Sequence, residues 1–202
     1  GQRFYVGEHR GITSFEPTEL VLSARAGTPL EEIRTILSEA GQMLPFEPPS
    51  FGTDDTLGGA LACGVSGPRR PYGGSARDLV LGLRIVNGRG ELLRFGGEVI
   101  KNVAGYDVSR LMIGAQGTLG VILEASIKVL PQLELETTRV LHIAPDKVIP
   151  HMDRLGDAPH PISGMAYIDR QLYIRLSGTR AGVAAASHDV GGEELSDDGA
   201  WW

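Results

Sequence analysis

Two glycine-rich runs hold the residues of this chain best suited to surround a ligand. The first is Thr56-Leu57-Gly58-Gly59, preceded by Pro48-Pro49-Ser50-Phe51-Gly52. The second is Gly114-Ala115-Gln116-Gly117-Thr118-Leu119-Gly120-Val121-Ile122, which follows Gly105-Tyr106-Asp107. Glycine accepts positive φ and lets the backbone come close to a bound molecule. Backbone N–H groups at a helix start, clear of side chains, can hydrogen-bond a phosphate or a ring carbonyl. Apolar periodic segments flank both runs. The pair therefore predicts a backbone wrapped around a large polar cofactor, with residues 56–59 and 117–122 facing one shared cleft. A tight turn with close helix packing is the competing reading of Thr56–Gly59. The pattern is not a dinucleotide fingerprint: no Gly-x-Gly-x-x-Gly follows a strand in a βαβ unit, and no Gly-Lys-Ser/Thr phosphate loop occurs.

Other reactive residue types are fewer. Gly67-Pro68-Arg69-Arg70-Pro71-Tyr72-Gly73-Gly74 sets two arginines in a loop stiffened by proline. They could grip a pyrophosphate or a substrate carboxylate in a fork, or be a solvated or partner-facing pair. Cys63 stands in a run of small residues, where a buried apolar role is expected ahead of a reactive thiol or a cofactor attachment point. Lys101 and Tyr106 could approach a ligand, but Tyr106 and Asp107 are expected to brace the loop before a helix. His9, His142, His151, His160 and His188 are scattered, with no helix-face metal spacing beside a carboxylate, so no metal site is assigned. His9, next to Arg10-Gly11, is the first candidate for a catalytic histidine.

The elements that must position these residues follow from the pattern. Glu19–Ala26 reads as a strand. Thr28-Pro29-Leu30-Glu31 predicts a helix start, with Thr28 as cap, Pro29 in the first turn and Glu31 closing a capping box. Leu30, Ile33, Ile36, Leu37 and Ala40 form its apolar stripe, and Gly41 its left-handed stop. Gly58–Gly64 predicts a short helix or turn of small residues. Asp78–Val86 and Leu92–Phe95 flank Asn87-Gly88-Arg89-Gly90 as a hairpin. Asp107 caps a helix with Val108, Leu111 and Met112, and Leu119–Leu130 is a long strand ending at Pro131. The pattern then changes. Thr138–Ile143 is a strand, Pro145–Leu155 a helix that Pro150 should break or kink, and Ile162–Asp169 with Gln171–Ser177 a hairpin turning at Asp169-Arg170. Ala181–Val190 is a weak helix. This order resembles the opening of a ferredoxin-like unit. The expected division is one α+β unit over 1–132 and the beginning of a second domain over 133–202.

Bulk properties exclude several classes. The chain has 202 residues, 42% of them hydrophobic, so a core can form. Its 28 glycines have no fixed period, so their excess is positional. A net charge of −6 argues against non-specific nucleic-acid binding, which needs a basic footprint. The single cysteine rules out an internal disulfide framework. No apolar run approaches the roughly 18 residues of a membrane span, and no signal peptide is visible. Gly1 at the start and Trp201-Trp202 at the end read as cuts in a longer protein.

Several runs together resemble a known family. Thr56–Gly59, the Gly67–Gly74 loop, Arg77-Asp78-Leu79-Val80-Leu81-Gly82, Lys101–Asp107 and Gly117–Ile122 occur in the order found in the FAD-binding fold of p-cresol methylhydroxylase and vanillyl-alcohol oxidase. Three longer stretches, Gly41–Pro49, Ser66–Pro71 and Arg94–Asp107, resemble the FAD-binding subunits of bacterial glycolate oxidases. The resemblance runs from about His9 to about Glu194. It implies an α+β fold class: the second lobe of the FAD-binding domain, a mostly antiparallel sheet with flanking helices over 1–132, followed by the start of a ferredoxin-like cap or substrate domain over 133–202. It implies FAD as cofactor and oxidation of glycolate or a related 2-hydroxy acid by hydride transfer to flavin. It implies other subunits as partners, a flavoprotein and an iron–sulfur subunit, and a cytoplasmic setting, peripheral at the inner membrane through the complex.

By the same resemblance Ala26, Gly27, Thr56, Leu57, Gly58, Gly59, Gly64, Gly67, Tyr72, Gly73, Gly120, Val121 and Ile122 line the flavin. Gln116 stands where many relatives carry Glu, and no residue is cast as the catalytic base. A non-catalytic assembly or electron-transfer subunit, and an enolpyruvyl reductase of the same fold, are the alternatives. The family's pyrophosphate loop belongs to a first lobe that these residues do not match. The 202-residue chain by itself is therefore expected to hold FAD weakly. A fluorescence titration with FAD should show no saturable binding in the submicromolar range, and stoichiometric submicromolar binding would refute this expectation.

Overall fold

The computed structural model describes residues 4–52, 54–97, 106–196 and 202. It divides into two compact units, one of residues 1–70 and 74–132, the other of 71–73 and 133–202.

The first unit is built on five antiparallel strands in the order β1-β2-β6-β4-β5. These are β1 (Ile12–Glu16), β2 (Val21–Arg25), β4 (Val80–Val86), β5 (Leu92–Gly96) and β6 (Val121–Lys128), and a two-residue pair, β3 (Gln42–Met43) with β7 (Leu130–Pro131), lies apart. Period-two alternation assigns the faces. Leu22 and Ala24 of β2, Leu83 and Ile85 of β4, and Ala125 and Ile127 of β6 enter one core, joined by Ile122 beyond a register shift between β4 and β6. Ser23 points the other way and hydrogen-bonds Ser126 across the sheet (Oγ to Oγ 2.7 Å). The core is closed by α1 (Leu30–Glu39) through Leu30, Ile33 and Leu37, by α2 (Leu57–Cys63) through Leu57 and Leu61, and by Phe46. Each such side chain, once fully buried, contributes about 1.5–3 kcal/mol. Residues 1–132 also carry the helical turns α3 (Arg70–Gly73), α4 (Ala76–Leu79) and α5 (Val108–Met112) and a 3-10 turn at Pro17–Glu19.

Several local expectations hold. Gly41 ends α1 in the left-handed conformation at φ 65°. Asp107 caps α5, its carboxylate accepting from Arg110 N at 3.0 Å. Others do not. Thr28 is fully buried and caps nothing in α1, which starts at Leu30 after Pro29. Its hydroxyl instead accepts from Gly11 N (2.9 Å) and donates to Gly11 O (3.2 Å). Ala40 is exposed, so the buried stripe ends at Leu37. The strand expected from Asp78 begins at Val80, because Asp78 accepts from Ser75 N and Ser75 Oγ and winds Ala76–Leu79 into a turn.

The second unit has the order β11-β8-β10-β9, all antiparallel: β8 (Leu135–His142), β9 (Ile162–Ile168), β10 (Gln171–Gly178) and β11 (Glu193–Glu194). With α6 (Pro145–Gly156) and α7 (Arg180–Val190) this is a whole β-α-β-β-α-β ferredoxin-like unit, including a fourth strand the sequence did not announce. Leu172, Ile174 and Leu176 face Val148, Leu155, Val183 and Ala186 of the helices. Arg175 lies on the opposite face, 3% exposed, donating to Ser163 Oγ (3.0 Å) and Ser163 O (3.1 Å) beneath the Trp202 ring. Helix α6 continues through Pro150, so of the expected break or kink the break does not occur. Pro150 is exposed, so the carbonyl it leaves unbonded faces water, while Val148 and Leu155 hold the helix from the other side.

The hairpin turn between β9 and β10 holds Asp169 at φ 51° and Arg170 at φ 63°. Two positive φ angles mark the tight turn that matches strand twist and favours Asn-Gly. Left-handed backbone costs a non-glycine residue roughly 1–2 kcal/mol, and part of any gain on relief returns as glycine's unfolded-state entropy. Arg170 is exposed, and the bond it accepts from Ile143 N uses only its carbonyl. Arg170→Gly should therefore stabilise the protein by about 0.5–1 kcal/mol, read as a higher midpoint in urea with an unchanged slope.

Candidate cofactor-binding site

The Thr56–Gly59 run does start a helix, and Thr56 caps α2 by accepting from Gly59 N at 3.2 Å. The remaining first-turn donors also serve the chain itself. Leu57 N donates to Thr28 O (3.0 Å), Gly58 N to Ala26 O (2.8 Å) and Ala60 N to Thr56 O (3.0 Å). The N–H groups of Leu57, Gly58, Gly59 and Ala60 are thus engaged within the chain and not available to a phosphate, and only Thr56 N, at the cap, has no acceptor among the described bonds. Gly58 is glycine because α2 sits on β2: a Cβ there would lie 2.5 Å from Ala26 Cβ. Close packing also explains four more of the expected lining glycines. A Cβ on Gly27 would meet Val6 O at 2.5 Å, on Gly64 the Gly114 Cα at 2.9 Å, on Gly67 the Glu47 O at 2.5 Å, and on Gly120 the Val86 O at 2.7 Å. Ala26, Leu57 and Ile122 are buried among core residues.

Gly59 is different. It is exposed, and a Cβ there would meet only Thr56 Oγ1, at 3.2 Å. It faces a groove of about 250 Å³ lined by Leu30, Pro49, Phe51, Asp54, Asp55, Thr56, Ala60, Cys63 and Val65. Cys63 is exposed here, not buried as expected, because the apolar side of α2 is carried by Leu57 and Leu61. Residues 117–121 line a separate groove of about 230 Å³ with Phe4, Val86, Asn87 and Gly88. Among the described residues the two glycine-rich runs thus line two separate grooves. In the second groove the N–H groups of Gly117, Leu119 and Gly120 donate to no acceptor among the described residues. Gln116 precedes them at φ 52°, its N–H bonded to Ala62 O at 2.9 Å.

The paired arginines separate. Arg69 is buried at 7% exposure, with Nε 2.9 Å from Glu47 Oε1 and its backbone N–H 2.9 Å from Glu47 Oε2. Arg70 is exposed. Tyr72 and Gly73 follow in α3 and fall in the second unit, and burial raises the Tyr72 hydroxyl above the usual tyrosine pKa. The Tyr106 side chain is almost fully exposed, its carbonyl accepting from Val108 N (3.0 Å), whereas the Asp107 side chain caps α5. Lys101 and Gly105 lie outside the described residues. The His9 side chain is exposed, and its part in the fold is a carbonyl that accepts from Gly27 N (2.9 Å). Two groove-wall anchors were not legible beforehand: Arg34 of α1 donates to Pro48 O (2.7 Å), and Asp55 folds the 50–55 loop onto its own carboxylate.

The groove beside α2 suits a ring system more than a whole dinucleotide, since drug-sized ligands occupy about 300–1,000 Å³. Its walls are mainly apolar, and its glycine is open to it. The second groove combines Phe4, Leu119 and Val121 with unengaged backbone donors, a set that suits a polar, anionic group beside a ring. A cofactor with both aromatic and phosphate parts fits the chemistry of the two sets.

Comparison with known proteins agrees. Residues 6–96 match the FAD binding domain family. The whole chain is 51% identical to the glycolate oxidase subunit GlcE of Escherichia coli (strain K12), covering 57% of that protein. Over 109 residues, 54% of the chain, it is 39% identical to the glycolate oxidase subunit GlcD of Bacillus subtilis (strain 168), covering 23% of it. Over 114 residues, 56% of the chain, it is 37% identical to the D-2-hydroxyglutarate dehydrogenase of Xanthomonas citri pv. viticola, covering 24% of it. The chain thus spans about half, or less, of these relatives. Among solved structures, an alkyldihydroxyacetonephosphate synthase superposes with a TM-score of 0.71 at 18% identity, covering 90% of this chain and 39% of that one, which shows a shared fold. The p-cresol methylhydroxylase-type FAD-binding fold expected from the sequence is the fold of this chain, and FAD is the cofactor these relationships indicate.

The Asp55 loop makes the groove wall sensitive to acid. The Phe51 N–H bond holds the Asp55 carboxyl below its usual 3.8 against the opposing effect of burial, with Gly52 N–H, the Ser50 hydroxyl and Arg34 adding smaller lowering effects. A depressed folded pKa means that this anchoring is present above pH 3.8 and is lost as pH falls through the lower, folded value. Amide exchange at Phe51 and Gly52, corrected for intrinsic rates, should therefore accelerate only below pH 3.8. Asp55→Asn should show fast exchange there at neutral pH. Equal protection in both proteins at pH 7 would show that the carboxylate does not hold the loop.

Proposed function

From a chain that carries an FAD binding domain over residues 6–96, we propose that the protein is the FAD-binding subunit of a glycolate oxidase-type complex. Its substrate would be glycolate or a related 2-hydroxy acid. The observation that carries this reading is the apolar groove beside α2, open at Gly59, in a chain alike over its whole length to a glycolate oxidase subunit. FAD, when bound, supplies the acceptor for a hydride leaving the carbinol carbon. The chain's own residues bind and orient. Leu30, Pro49, Phe51, Ala60 and Val65 would cover an apolar ring face and exclude water, and Thr56 and Gly59 would form its edge. Gly117, Leu119 and Gly120 would donate backbone N–H groups to an anionic part of the cofactor. Gly27, Gly58, Gly64, Gly67 and the buried Ala26, Leu57 and Ile122 would act from behind, by holding these walls. Val121 would line the second groove, and Tyr72 and Gly73 are proposed as lining residues on resemblance alone. Residues 133–202 would serve as a cap or substrate domain of ferredoxin-like topology.

One observation favours a second reading, in which the chain holds FAD while another subunit performs the oxidation. The carboxylates on the groove are Asp54 and Asp55. Asp55 accepts three hydrogen bonds and is held in its anionic form, which lowers its strength as a base. Other subunits, a flavoprotein and an iron–sulfur protein, are the proposed partners. A cytoplasmic setting, peripheral at the inner membrane through the complex, is proposed with them. No helix among the described residues is long and apolar enough to cross a membrane.

The test is a visible absorption spectrum of the purified full-length protein, followed by anaerobic addition of glycolate. A flavin spectrum that bleaches with one equivalent of glycolate is expected for an oxidising subunit. A flavin that does not bleach favours the holding role, and the absence of flavin would sink both. Gly59→Leu should fold but lose flavin, because the new side chain fills the groove. Wild-type flavin content in that variant would remove Gly59 from the site.

A further inference from the structure

We propose that the buried pair Glu47–Arg69 sets the width of the groove beside α2 and so acts as a positioning pair for the cofactor. The proposal rests on the FAD reading above. The groove has two walls contributed by different segments. One is the loop carrying Pro49 and Phe51, and the other is the end of α2 with Cys63 and Val65. Glu47 stands two residues before Pro49, and Arg69 four residues after Val65. Their carboxylate and guanidinium meet at 2.9 Å, and the same carboxylate accepts from Arg69 N at 2.9 Å. A third bond, Gly67 N to Phe46 O at 2.8 Å, runs alongside. Three connections thus tie one wall to the other behind the groove.

The strain at this point fits a role beyond filling space. Glu47 holds φ at 45°, in the left-handed region that favours glycine, and Gly67 packs so closely on it that no Cβ would fit. A residue other than glycine is kept there at a backbone cost. Phe46, fully buried next to it, anchors the strained residue in the core. Arg69 is one of the few charged side chains buried in the first unit, and a buried charge whose partner is removed is strongly unfavourable. The pair therefore resists changes in the spacing of the walls, as an apolar contact would not. Arg70, its exposed neighbour, has no such bond to Glu47 among those described.

The test uses the full-length protein with bound FAD and compares Glu47→Gln and Arg69→Lys with wild type. FAD dissociation constants and the position and fine structure of the flavin band are measured well below the melting temperature of each apo form. Apo melting temperatures are recorded separately. Glu47→Gln should weaken FAD about tenfold and blur the flavin band. Arg69→Lys keeps the charge but loses the Nε–H bond, and should weaken FAD about threefold. If Glu47→Gln does not fold, Arg69→Lys alone decides. A lower apo melting temperature with unchanged FAD affinity and band would show that the pair is only structural and would overturn the proposal. Unchanged affinity in Arg69→Lys would overturn it as well. Wild-type protein that binds no FAD would instead defeat the FAD reading itself, whatever the variants do.

Discussion

The first unit depends on a backbone junction at the end of β2. Within three residues, Ala26 O, Thr28 O and the Thr28 hydroxyl take in Gly58 N, Leu57 N and Gly11 N. Leu30 N returns the connection by donating to Asp55 O. Ala26, Thr28, Leu30, Leu57 and Gly58 are buried, and an unmet buried donor or acceptor costs about 1–3 kcal/mol. The junction therefore fixes the start of α2 against the sheet, with little freedom to rotate. It also decides which face of α2 looks outward. Leu57 and Leu61 go into the core, and Gly59 and Cys63 are left to line a groove. The same bonds that orient the helix engage its leading donors, so the helix presents a surface to a ligand rather than a charge.

Much of the fold is legible because its signals are local. Gly41 ends α1, Asp107 begins α5, and Asp169-Arg170 turns a hairpin, each through bonds or dihedral angles spanning a few residues. The errors come from partners distant in sequence. Thr28 has the spacing of a helix cap, but its hydroxyl belongs to Gly11, seventeen positions earlier. Arg69 has the look of an anion-binding residue, but its carboxylate is Glu47, twenty-two positions earlier. Pro150 reads as a helix break because the sequence does not say which side of α6 faces water. A glycine in a sequence records that something comes close. It does not record whether that something is a ligand or another part of the same chain, which is why Gly58, Gly64 and Gly67 read alike with Gly59 although only the last is open.

Around the groove, charged side chains are aimed at backbone instead of at solvent. Arg34 reaches Pro48 O, Asp55 gathers the N–H groups of Phe51 and Gly52, and Glu47 holds Arg69 N. This arrangement gives defined positions to a proline- and glycine-rich segment that, among its described residues, has no strand or helix of its own between Leu44 and Thr56. Rigid placement of loop residues is what a binding surface needs, because ligand groups must be met without reordering the chain at each encounter.

The second sheet ends in β11, a strand of two exposed glutamates paired to Val140 and Arg139. A sheet edge is a template on which another chain can pair its own backbone, and short length and charge are two ways of blunting it. Here both occur at once. A foreign strand arriving at this border would find room for hardly one pair of hydrogen bonds and would bring its own side chains beside two negative charges. Among the described residues this border thus offers little template for fibril-like stacking.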